Sequence, residues 1–480
     1  MTERDASIPE VRELPIGIEA SGEREEFDSL GKVAVPANHY WGAQTQRSLT
    51  HFNIGTDRMP VEVSRAYGLV KKAAARVNAQ AGRLPEWKAL LIEQVCDEIL
   101  GGALDNEFPL YVWQTGSGTH SNMNINEVIA NRCVQRLGGV LGSQAPIHPN
   151  DDVNMGQSSN DTFPTAMHLA GYQMVVEQTL PALIALRDAL AHKAQAWADV
   201  VKIGRTHLQD ATPLTVGQEW SGYVSALDDA IQSLQRENEG LLDVAMGGTA
   251  VGTGLNAPPG FGEAVAEELR QLTGFNVQTA RNKFAAQATL DRMVRAHAAL
   301  KTTAVTLYKI ANDLRWLGSG PRIGLMELVL PSNEPGSSMM PGKVNPTQAE
   351  AMMMVCIQIM GADVAVQMAG AEGNFELNAF RPVVIYNFLN SARLMADACA
   401  HFREHLVEGT TLNAAQLQKN IDQSLMMVTA LAPSIGYDKA AAIAHDAVAH
   451  GLTLREAALA QGVSETLFDQ VVVPMRLARP

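Results

Sequence analysis

Five long segments with helical periodicity constrain the fold of this chain more than any other feature. In the segment 295–317, large aliphatic residues recur at steps of seven, three, four and three, which is a heptad-like seam; they are Leu300, Leu307, Ile310, Leu314 and Leu317. Four further segments have similar stripes: 177–200, 217–246, 348–368 and 383–408. Helices of this kind pack into elongated bundles. We therefore predict a mainly all-α protein with a central five-helix bundle.

One of these segments is apolar around nearly its whole circumference. It reads EAMMMVCIQIMGADVAVQMAG over residues 350–370. A helix that is apolar on all sides must be buried on all sides. In a chain of 480 residues, this pattern indicates bundles that pack together between subunits.

The composition agrees with a helical protein and argues against several classes of function. Hydrophobic residues make up 46% and aromatic residues only 5%, a balance that favours helices over sheets. The net charge is −14 and there is no Lys/Arg-rich run, so we expect no nucleic-acid partner. No apolar run reaches about 18 residues, so no membrane span is expected. The cysteines are widely spaced in apolar helical contexts, which predicts reduced, buried thiols and a cytoplasmic location; they are Cys96, Cys133, Cys356 and Cys399.

Changes of composition along the chain divide it into four parts. Residues 1–28 are polar and acidic without an apolar signal-peptide core, so we expect a disordered tail. Residues 29–157 mix short helices with Gly- and Asn-rich loops and form the N-terminal domain. The long helices occupy a central domain, 158–410, and a small helical C-terminal domain follows over 411–480.

Four polar loops interrupt the helices. Each by itself could be a surface turn, but four loops rich in Ser, Thr, Asn and His predict a ligand site. They are TGSGTHSNMNINE (115–127), HPNDDVNMGQSSNDTFPT (148–165), GRTHLQDATP (204–213) and GSSMMPGKVNPTQAE (336–350).

The first two loops precede helices. The glycines of 115–118 allow close backbone approach, and the N–H groups of a following helix start favour an anion. In the second loop any of Ser159, Asn160 and Asp161 could be the N-cap. These features suit an anionic ligand, although capping by itself would explain part of them.

The other two loops supply candidate acid–base groups. His207 follows Arg205 and Thr206 between two long helices, which favours an acid–base role over a structural one. In the last loop, Pro335-Gly336 and Pro341-Gly342 each suit a type II turn with φ > 0 at glycine. Asn345-Pro346 then resembles a helix start, with Asn345 as N-cap, Pro346 at N1 and Gln348 at N3.

The segment GSSMMPGKVNP matches the GSSxMPxKxNP signature of the fumarase/aspartase superfamily of lyases throughout. GRTHLQD has His207 where aspartases usually have Gln, SSNDTFPT differs from the STNDAYPT-like form of aspartases, and KVNPTQ follows the fumarase pattern. The chain thus resembles class II fumarases over about residues 29–480. The resemblance implies a three-domain fold and a homotetramer with a twenty-helix core. It also implies active sites shared between three subunits, reversible hydration of fumarate to (S)-malate, and no metal or organic cofactor.

The resemblance assigns roles to residues of all four loops. It implies that Ser337 is the catalytic base and that His207, held by Glu350, is the second acid–base group. The substrate-binding positions that it implies are Ser117, Gly118, Thr119, Ser158, Ser159, Asn160, Thr206, Ser338, Lys343, Val344 and Asn345. A second, peripheral dicarboxylate site is implied at His148, Pro149, Asn150 and Asp151.

Two positions depart from the family pattern. His120 stands where Gln is common, and Asp152 replaces a common His, so its added negative charge counts against an anion at the second site. Two other functions are weighed: an aspartate ammonia-lyase of the same superfamily and a non-enzymatic helical scaffold. His401 and His405 have the i, i+4 spacing of a metal pair but lack an evident third ligand, so no metal is expected. The GTG of 252–254 lacks the spacing of a dinucleotide site.

Overall fold

The computed structural model describes residues 9–479, and these residues are mainly α-helical, as predicted. In chain order the first nine helices are α1 (Ala43–His51), α2 (Val61–Gln80), α3 (Glu86–Leu100), α4 (Thr119–Arg136), α5 (Ser159–Met174), α6 (Leu180–Ala196), α7 (Val216–Glu239), α8 (Phe261–Thr273) and α9 (Lys283–Ala288). The others are α10 (Asp291–Leu317), α11 (Thr347–Ala371), α12 (Arg381–Phe402), α13 (Ala414–Gln423), α14 (Ala432–Ile435), α15 (Tyr437–His450), α16 (Leu454–Ala460), α17 (Glu465–Val471) and α18 (Pro474–Ala478).

Strands are short and pair two by two. The pairs are β1 (Glu23–Asp28) with β2 (Gly31–Pro36), β3 (Val201–Thr206) with β4 (Gln209–Thr215), β5 (Asp243–Val244) with β6 (Gln278–Thr279), and β7 (Leu328–Val329) with β8 (Thr411–Leu412). All are antiparallel except β5–β6, which is parallel.

Each of the five predicted long segments contains a long helix. They are α6, α7, α10, α11 and α12, with 17, 24, 27, 25 and 22 residues. Along α10 the predicted seam is buried, because each of its five aliphatic residues is at most 7% exposed. The helical prediction is therefore confirmed for these segments, while their ends differ by a few residues from the predicted limits.

The described chain forms two compact units. The first comprises residues 9–179, 234–301 and 358–393, and the second comprises residues 180–233, 302–357 and 394–479. The three-domain division with boundaries at 157 and 410 stays a prediction.

The first unit is built around α2, which packs on α3, α4, α5 and α8. Helix α4 is buried along most of its length and ends as its glycine pair predicted. Gly138 takes φ +70°, and the Gly139 N–H donates to the Val134 carbonyl at 2.9 Å. This closure is the Schellman arrangement that glycine permits after a helix.

The segment that precedes β1 also belongs to the first unit. Arg132 of α4 donates to the Leu14 carbonyl at 2.8 Å, and the Tyr40 hydroxyl donates to the Gly17 carbonyl at 3.0 Å. With β1 starting at Glu23, the predicted disorder is wrong for residues 12–28, because buried polar groups of α4 and Tyr40 need these carbonyl partners. Residues 1–8 lie outside the described residues.

The second unit contains the β3–β4 hairpin and the C-terminal helices. Ile203 of β3 is 1% exposed and lies in one apolar cluster with residues of α13 and α15–α17. This cluster holds the base of the hairpin, so the tip of the hairpin, where His207 lies, is supported by a packed core.

Helix α11 carries an exposed apolar stripe as well as a buried one. Met354, Ile357, Val364 and Met368 are 64%, 58%, 57% and 67% exposed, and their spacing places them on one face. By length and composition this helix could cross a membrane, a test that core helices of soluble proteins also pass. The expected absence of a membrane span stays a prediction.

Candidate active site

In the first unit, the starts of α4 and α5 bring three hydroxyl groups together. The hydroxyls of Ser117 and Thr119 lie 2.8 Å apart, and that of Thr119 lies 2.7 Å from the hydroxyl of Ser159. Both helices are longer than fifteen residues, so each start is the positive end of a helix dipole. Two helix starts with clustered hydroxyls form a site for an anionic group.

Two glycines of the first loop are required by close approach. A Cβ on Gly116 would lie 1.4 Å from the Ala379 carbonyl oxygen, and one on Gly118 would lie 2.1 Å from the Phe163 ring. Gly118 also takes φ +82° as the residue before α4, which is the left-handed region that favours glycine. The loop therefore fits tightly between α5 and the residues that precede α12.

The buried residue Arg381 is hydrogen-bonded to the same loop. Its backbone N–H donates to the Gly116 carbonyl at 3.1 Å, and its guanidinium donates to the Gln287 carbonyl at 2.8 Å. Burial lowers the pKa of Arg381 to about 10, so the side chain stays cationic at neutral pH. This positive charge next to the loop favours the binding of an anion at the loop.

The N-cap of α5 is Ser158, so the expectation that the cap lies among residues 159–161 is wrong. The Ser158 hydroxyl accepts from the Asn160 N–H at 3.2 Å, and the Asp161 carboxylate accepts from the Ser158 N–H at 2.9 Å. Reciprocal bonds of this kind form a capping box. Capping occupies Ser158, whereas the Asn160 side chain donates to the Ala250 carbonyl at 2.8 Å.

Asp161 also fixes the Gly-rich segment that follows β5. Its second carboxylate oxygen accepts from the Gly247 and Thr249 N–H groups at 3.0 and 2.9 Å. Burial raises the pKa of Asp161 above its usual value, although these N–H bonds act in the opposite direction. The segment thus lies beside the start of α5.

In the second unit, His207 and Leu208 form the two-residue turn of the β3–β4 hairpin. Thr206 pairs with Gln209, and His207 and Leu208 have φ of +58° and +60°. Positive φ at both central residues is typical of a type I′ turn and is strained for residues other than Gly, Asn and Asp. The hairpin holds the exposed imidazole at its tip in one backbone conformation.

Arg205, which flanks His207 in the sequence, is bound to a carboxylate. Its guanidinium pairs with Glu327 at 2.7 Å, and Lys202 pairs with the same carboxylate at 2.8 Å. Burial would raise the pKa of Glu327, but Lys202 and Arg205 lower it below its usual value. Arg205 is thus a structural anchor of the hairpin.

The Ser337 hydroxyl lies in a pocket of backbone N–H groups. Its oxygen accepts from the Met340 N–H at 2.9 Å and from the Met339 N–H at 3.2 Å. Donors that point at an oxygen stabilise its anionic form and lower the free energy of its deprotonation. The loop can therefore support an alkoxide on Ser337.

The loop closes on itself around Gly336. The Gly336 N–H donates to the Lys343 carbonyl at 2.8 Å, and the Asn345 side-chain N–H donates to the Gly336 carbonyl at 2.6 Å. A Cβ on Gly336 would lie 2.6 Å from the Lys343 carbonyl oxygen. Residues 336–345 therefore form a closed loop, in which Lys343 and Asn345 near one end are hydrogen-bonded to Gly336 at the other.

Two local predictions for this loop need correction. Gly342 takes φ +78° as expected, but Gly336 does not have positive φ, because its role is close approach to Lys343. Helix α11 begins at Thr347, and the Pro346 carbonyl accepts the first helical N–H bond, from Glu350, at 3.1 Å. The side chain of Asn345 closes the loop instead of capping the helix.

Gly336→Ala is expected to lower kcat about tenfold while leaving the melting temperature nearly unchanged. The added methyl group would displace the neighbouring Ser337, and an increase of about 1.4 kcal/mol in the activation free energy is enough for a tenfold loss of rate. Gly342→Asn is the matched control, since nothing lies within 4 Å of its Cβ and asparagine tolerates its positive φ. Steady-state kinetics and thermal unfolding of both variants check this. Equal kcat values for the two variants would contradict the role of close approach.

The remaining predicted residues of this loop are accessible. Lys343 and Val344 are exposed, and with Asn345 they line a cavity of about 580 Å³ to which Arg315 also contributes. Ser338 and Glu350 are exposed. Within residues 9–479 the side chains of His207 and Glu350 make no hydrogen bond with each other, so the assignment of Glu350 stays a prediction.

The predicted second site forms a short π-helical turn at Pro149–Val153. His148 Nδ1 accepts from the Asn150 and Asp151 N–H groups, both at 3.1 Å. The Asp152 carboxylate is bound by Lys88, at 2.9 Å to each oxygen, and accepts from the His148 N–H at 2.7 Å. Lys88 thus compensates the added charge that was expected to repel an anion.

His120, the other departure from the family pattern, is part of the first unit. Its Nδ1 lies 2.9 Å from the Ser48 hydroxyl, and its ring contacts Phe52 edge-on. Burial and the nearby His51 lower the pKa of His120, so the ring is neutral at pH 7.

Residues 9–479 contain no group of three or more His, Cys, Asp or Glu side chains that could hold a metal ion. The rings of His401 and His405 do stack, with centroids 5.5 Å apart. All four cysteines are buried and free, as predicted.

Sequence reasoning missed the buried residues beneath the first two loops, Lys71 and Arg381, and did not foresee the contacts of Asp161 with residues 247–249. A signal existed for Lys71, because GLVKKAAARV places two lysines within a largely apolar stretch of a helix. For Arg381 the pattern offered none, since its partners lie far away in the chain.

Known proteins resemble this chain over nearly its whole length. Residues 31–361 match the family model described as lyase, and residues 427–479 match the model described as fumarase C C-terminus. The class II fumarate hydratase of Methanosarcina acetivorans is 61% identical over 471 residues, 98% of this chain and 97% of that protein. That of Myxococcus xanthus is 58% identical over 94% of this chain and 97% of its own length. The crystal structure of the class II fumarase from Schistosoma mansoni superposes with a TM-score of 0.93 at 43% identity, covering 95% of this chain and 99% of that one.

Proposed function

Because the chain belongs to the class II fumarase family, we propose that it is a fumarate hydratase that interconverts fumarate and (S)-malate. The observation that carries the mechanism is the pair of N–H bonds to the Ser337 hydroxyl oxygen, at 2.9 and 3.2 Å. A serine hydroxyl is a weak acid, and it can act as a base only where its alkoxide is stabilised.

In the malate direction the Ser337 alkoxide removes a proton from C3. The electron pair moves into the adjacent carboxylate and forms a dianionic aci-carboxylate. This intermediate needs positive groups around it, because its charge develops during the step. Lys343 on the same loop and the start of α11 supply positive potential in the second unit.

Departure of the C2 hydroxyl completes the reaction. We assign proton delivery to His207, acting through a bound water, with Glu350 accepting from the other ring nitrogen and fixing its tautomer. The hydroxyl leaves as water and the electron pair forms the C2–C3 double bond. The hairpin supports this role, because its strained turn presents His207 to solvent at a fixed backbone position.

The substrate carboxylates are bound by two kinds of donor. The hydroxyls of Ser117, Thr119 and Ser159, at the starts of α4 and α5, donate to one carboxylate. Lys343 and the second N–H of the Asn345 amide, supplied by a different subunit of the assembly proposed below, donate to the other, since only one amide hydrogen is used on Gly336.

We propose a homotetramer whose active sites are shared between subunits. The exposed stripe Met354, Ile357, Val364 and Met368 supports it, because apolar residues at this spacing pair with another helix. A twenty-helix core would cover that stripe. The four buried free thiols support placing this tetramer in the reducing cytoplasm. We retain the site of His148, Pro149, Asn150 and Asp151 as a proposed second dicarboxylate site.

Purified protein is expected to release fumarate from (S)-malate and none from aspartate. Ultraviolet absorbance of fumarate measures the turnover, and the mass of the assembly is determined in the same buffer. Fumarate from aspartate only would favour the ammonia-lyase. No turnover of either compound by a folded tetramer would favour the scaffold.

A further inference from the structure

Lys71 lies in the middle of α2 and is fully buried. Its ammonium donates to three side-chain amide oxygens, those of Asn122 at 2.8 Å, Asn154 at 2.9 Å and Gln157 at 2.9 Å. Its neighbour Lys72 points elsewhere, to the Asp97 carboxylate on α3 at 2.6 Å. The two adjacent lysines therefore have different partners, and none of the residues assigned to the reaction touches Lys71.

The three acceptors require the charged form of the lysine. An ammonium group has three donors, one for each oxygen, whereas a neutral amine has two donors and a lone pair. With a neutral amine, one amide oxygen would face that lone pair inside the protein, which is unfavourable. The hydrogen-bond geometry thus favours the ammonium form.

The acceptors are attached to both binding loops of the first unit. Asn122 lies three residues after Thr119 on α4, and Gln157 directly precedes Ser158 at the start of α5. Asn154 links the two, because its oxygen also accepts from the Asn122 side chain at 3.1 Å. One ammonium therefore connects the start of α4 to the start of α5.

We propose that Lys71 is a positioning residue for the dicarboxylate site, in that its ammonium holds the starts of α4 and α5 in register and adds a buried positive charge behind them. The 2.7 Å contact between the Thr119 and Ser159 hydroxyls depends on this register. The role rests on the proposed function, and it is one of binding: Lys71 does not touch the substrate.

The charge of Lys71 responds to its surroundings. Burial lowers its pKa to about 7, against Asp161 on α5 and Cys96 on α3, which favour the charged form. Tyr67 lies on the same helix, with its ring centroid 5.8 Å from the ammonium. The partners from α4 and from residues 154–157 do not titrate. The ammonium thus prevails below pH 7 and the amine above it.

Lys71→Met is the test, with Lys72→Met as the matched control on the same helix. At about pH 6 we expect Lys71→Met to raise the KM for malate about tenfold and to change kcat less than about threefold, since 1.4 kcal/mol of binding corresponds to a factor of ten. At about pH 8.5 the ratio of its KM to that of the wild type should fall towards one, because the wild type has lost the ammonium. Lys72→Met should keep the wild-type KM at both pH values.

Other outcomes have distinct meanings. Equal KM for Lys71→Met and wild type at the lower pH would overturn the role of Lys71 and leave the proposed function intact, whereas a KM raised equally at both pH values would support the role, with an ammonium that persists at pH 8.5. Absence of malate turnover in the wild type would overturn both. If Lys71→Met does not fold, Gln157→Leu decides, because it removes one acceptor from a partly exposed position: a raised KM supports the proposal and an unchanged KM overturns it.

Discussion

Ser337→Ala is expected to lower kcat for malate about a thousandfold, within the range that removal of a general base costs. The substitution deletes the oxygen that we propose accepts the C3 proton, and it leaves the Met339 and Met340 N–H groups without their acceptor. Both methionines are exposed, so water can take its place and the melting temperature should change little. Steady-state kinetics and thermal unfolding on the same preparation measure both effects.

Ser332→Ala is the control for this experiment. Ser332 is exposed four residues before this loop, and its hydroxyl makes no hydrogen bond to any of residues 9–479. It should retain wild-type kcat. Near-wild-type turnover in Ser337→Ala would remove Ser337 as the base, whereas equal losses in both variants would indicate a general sensitivity of the loop.

His207→Asn is expected to lower kcat about a hundredfold, the lower part of the range for acid–base groups. Asparagine tolerates the positive φ of this position better than most residues, so the type I′ turn should persist. The loss would then reflect the missing imidazole.

Leu208→Asn separates chemistry from turn geometry. Leu208 occupies the other left-handed position of the turn, with φ +60°, and is 68% exposed. The same substitution there should keep wild-type kcat and should not lower stability. A His207→Asn enzyme as active as Leu208→Asn would show that His207 is not the second acid–base group.

Much of the helical framework could be predicted because its signals are local. The seam of α10 and the glycine pair after α4 appear in the sequence as spacing and as turn chemistry, which depend on few neighbouring residues. The chemistry-bearing loops were recognisable for the same reason, since clusters of Gly, Pro, Ser and Asn interrupt long helices. The run GSSMMPGKVNP added a family resemblance that the comparisons confirm.

Errors arose where one residue could serve two local purposes. Asn345 suited a cap, yet its side chain closes the loop on Gly336, and Gly336 suited a positive-φ turn, yet it is needed for close approach. Ser158 competed with three neighbours for one capping position. In each case the observed role depends on a residue that is close in space and that the local sequence pattern does not specify.

The sequence by itself determined the helices, the position of the loops and the residues that can carry acid–base chemistry, because periodicity and backbone preferences act over a few residues. Only the tertiary structure decided which polar groups are bound to one another. Arg205 binds Glu327, and Lys71 binds three amides. A buried charge needs polar partners, and the packing of the helices decides which ones lie within hydrogen-bond distance. Those partners lie up to 122 residues away from Arg205 and up to 86 residues away from Lys71, beyond the reach of any local pattern.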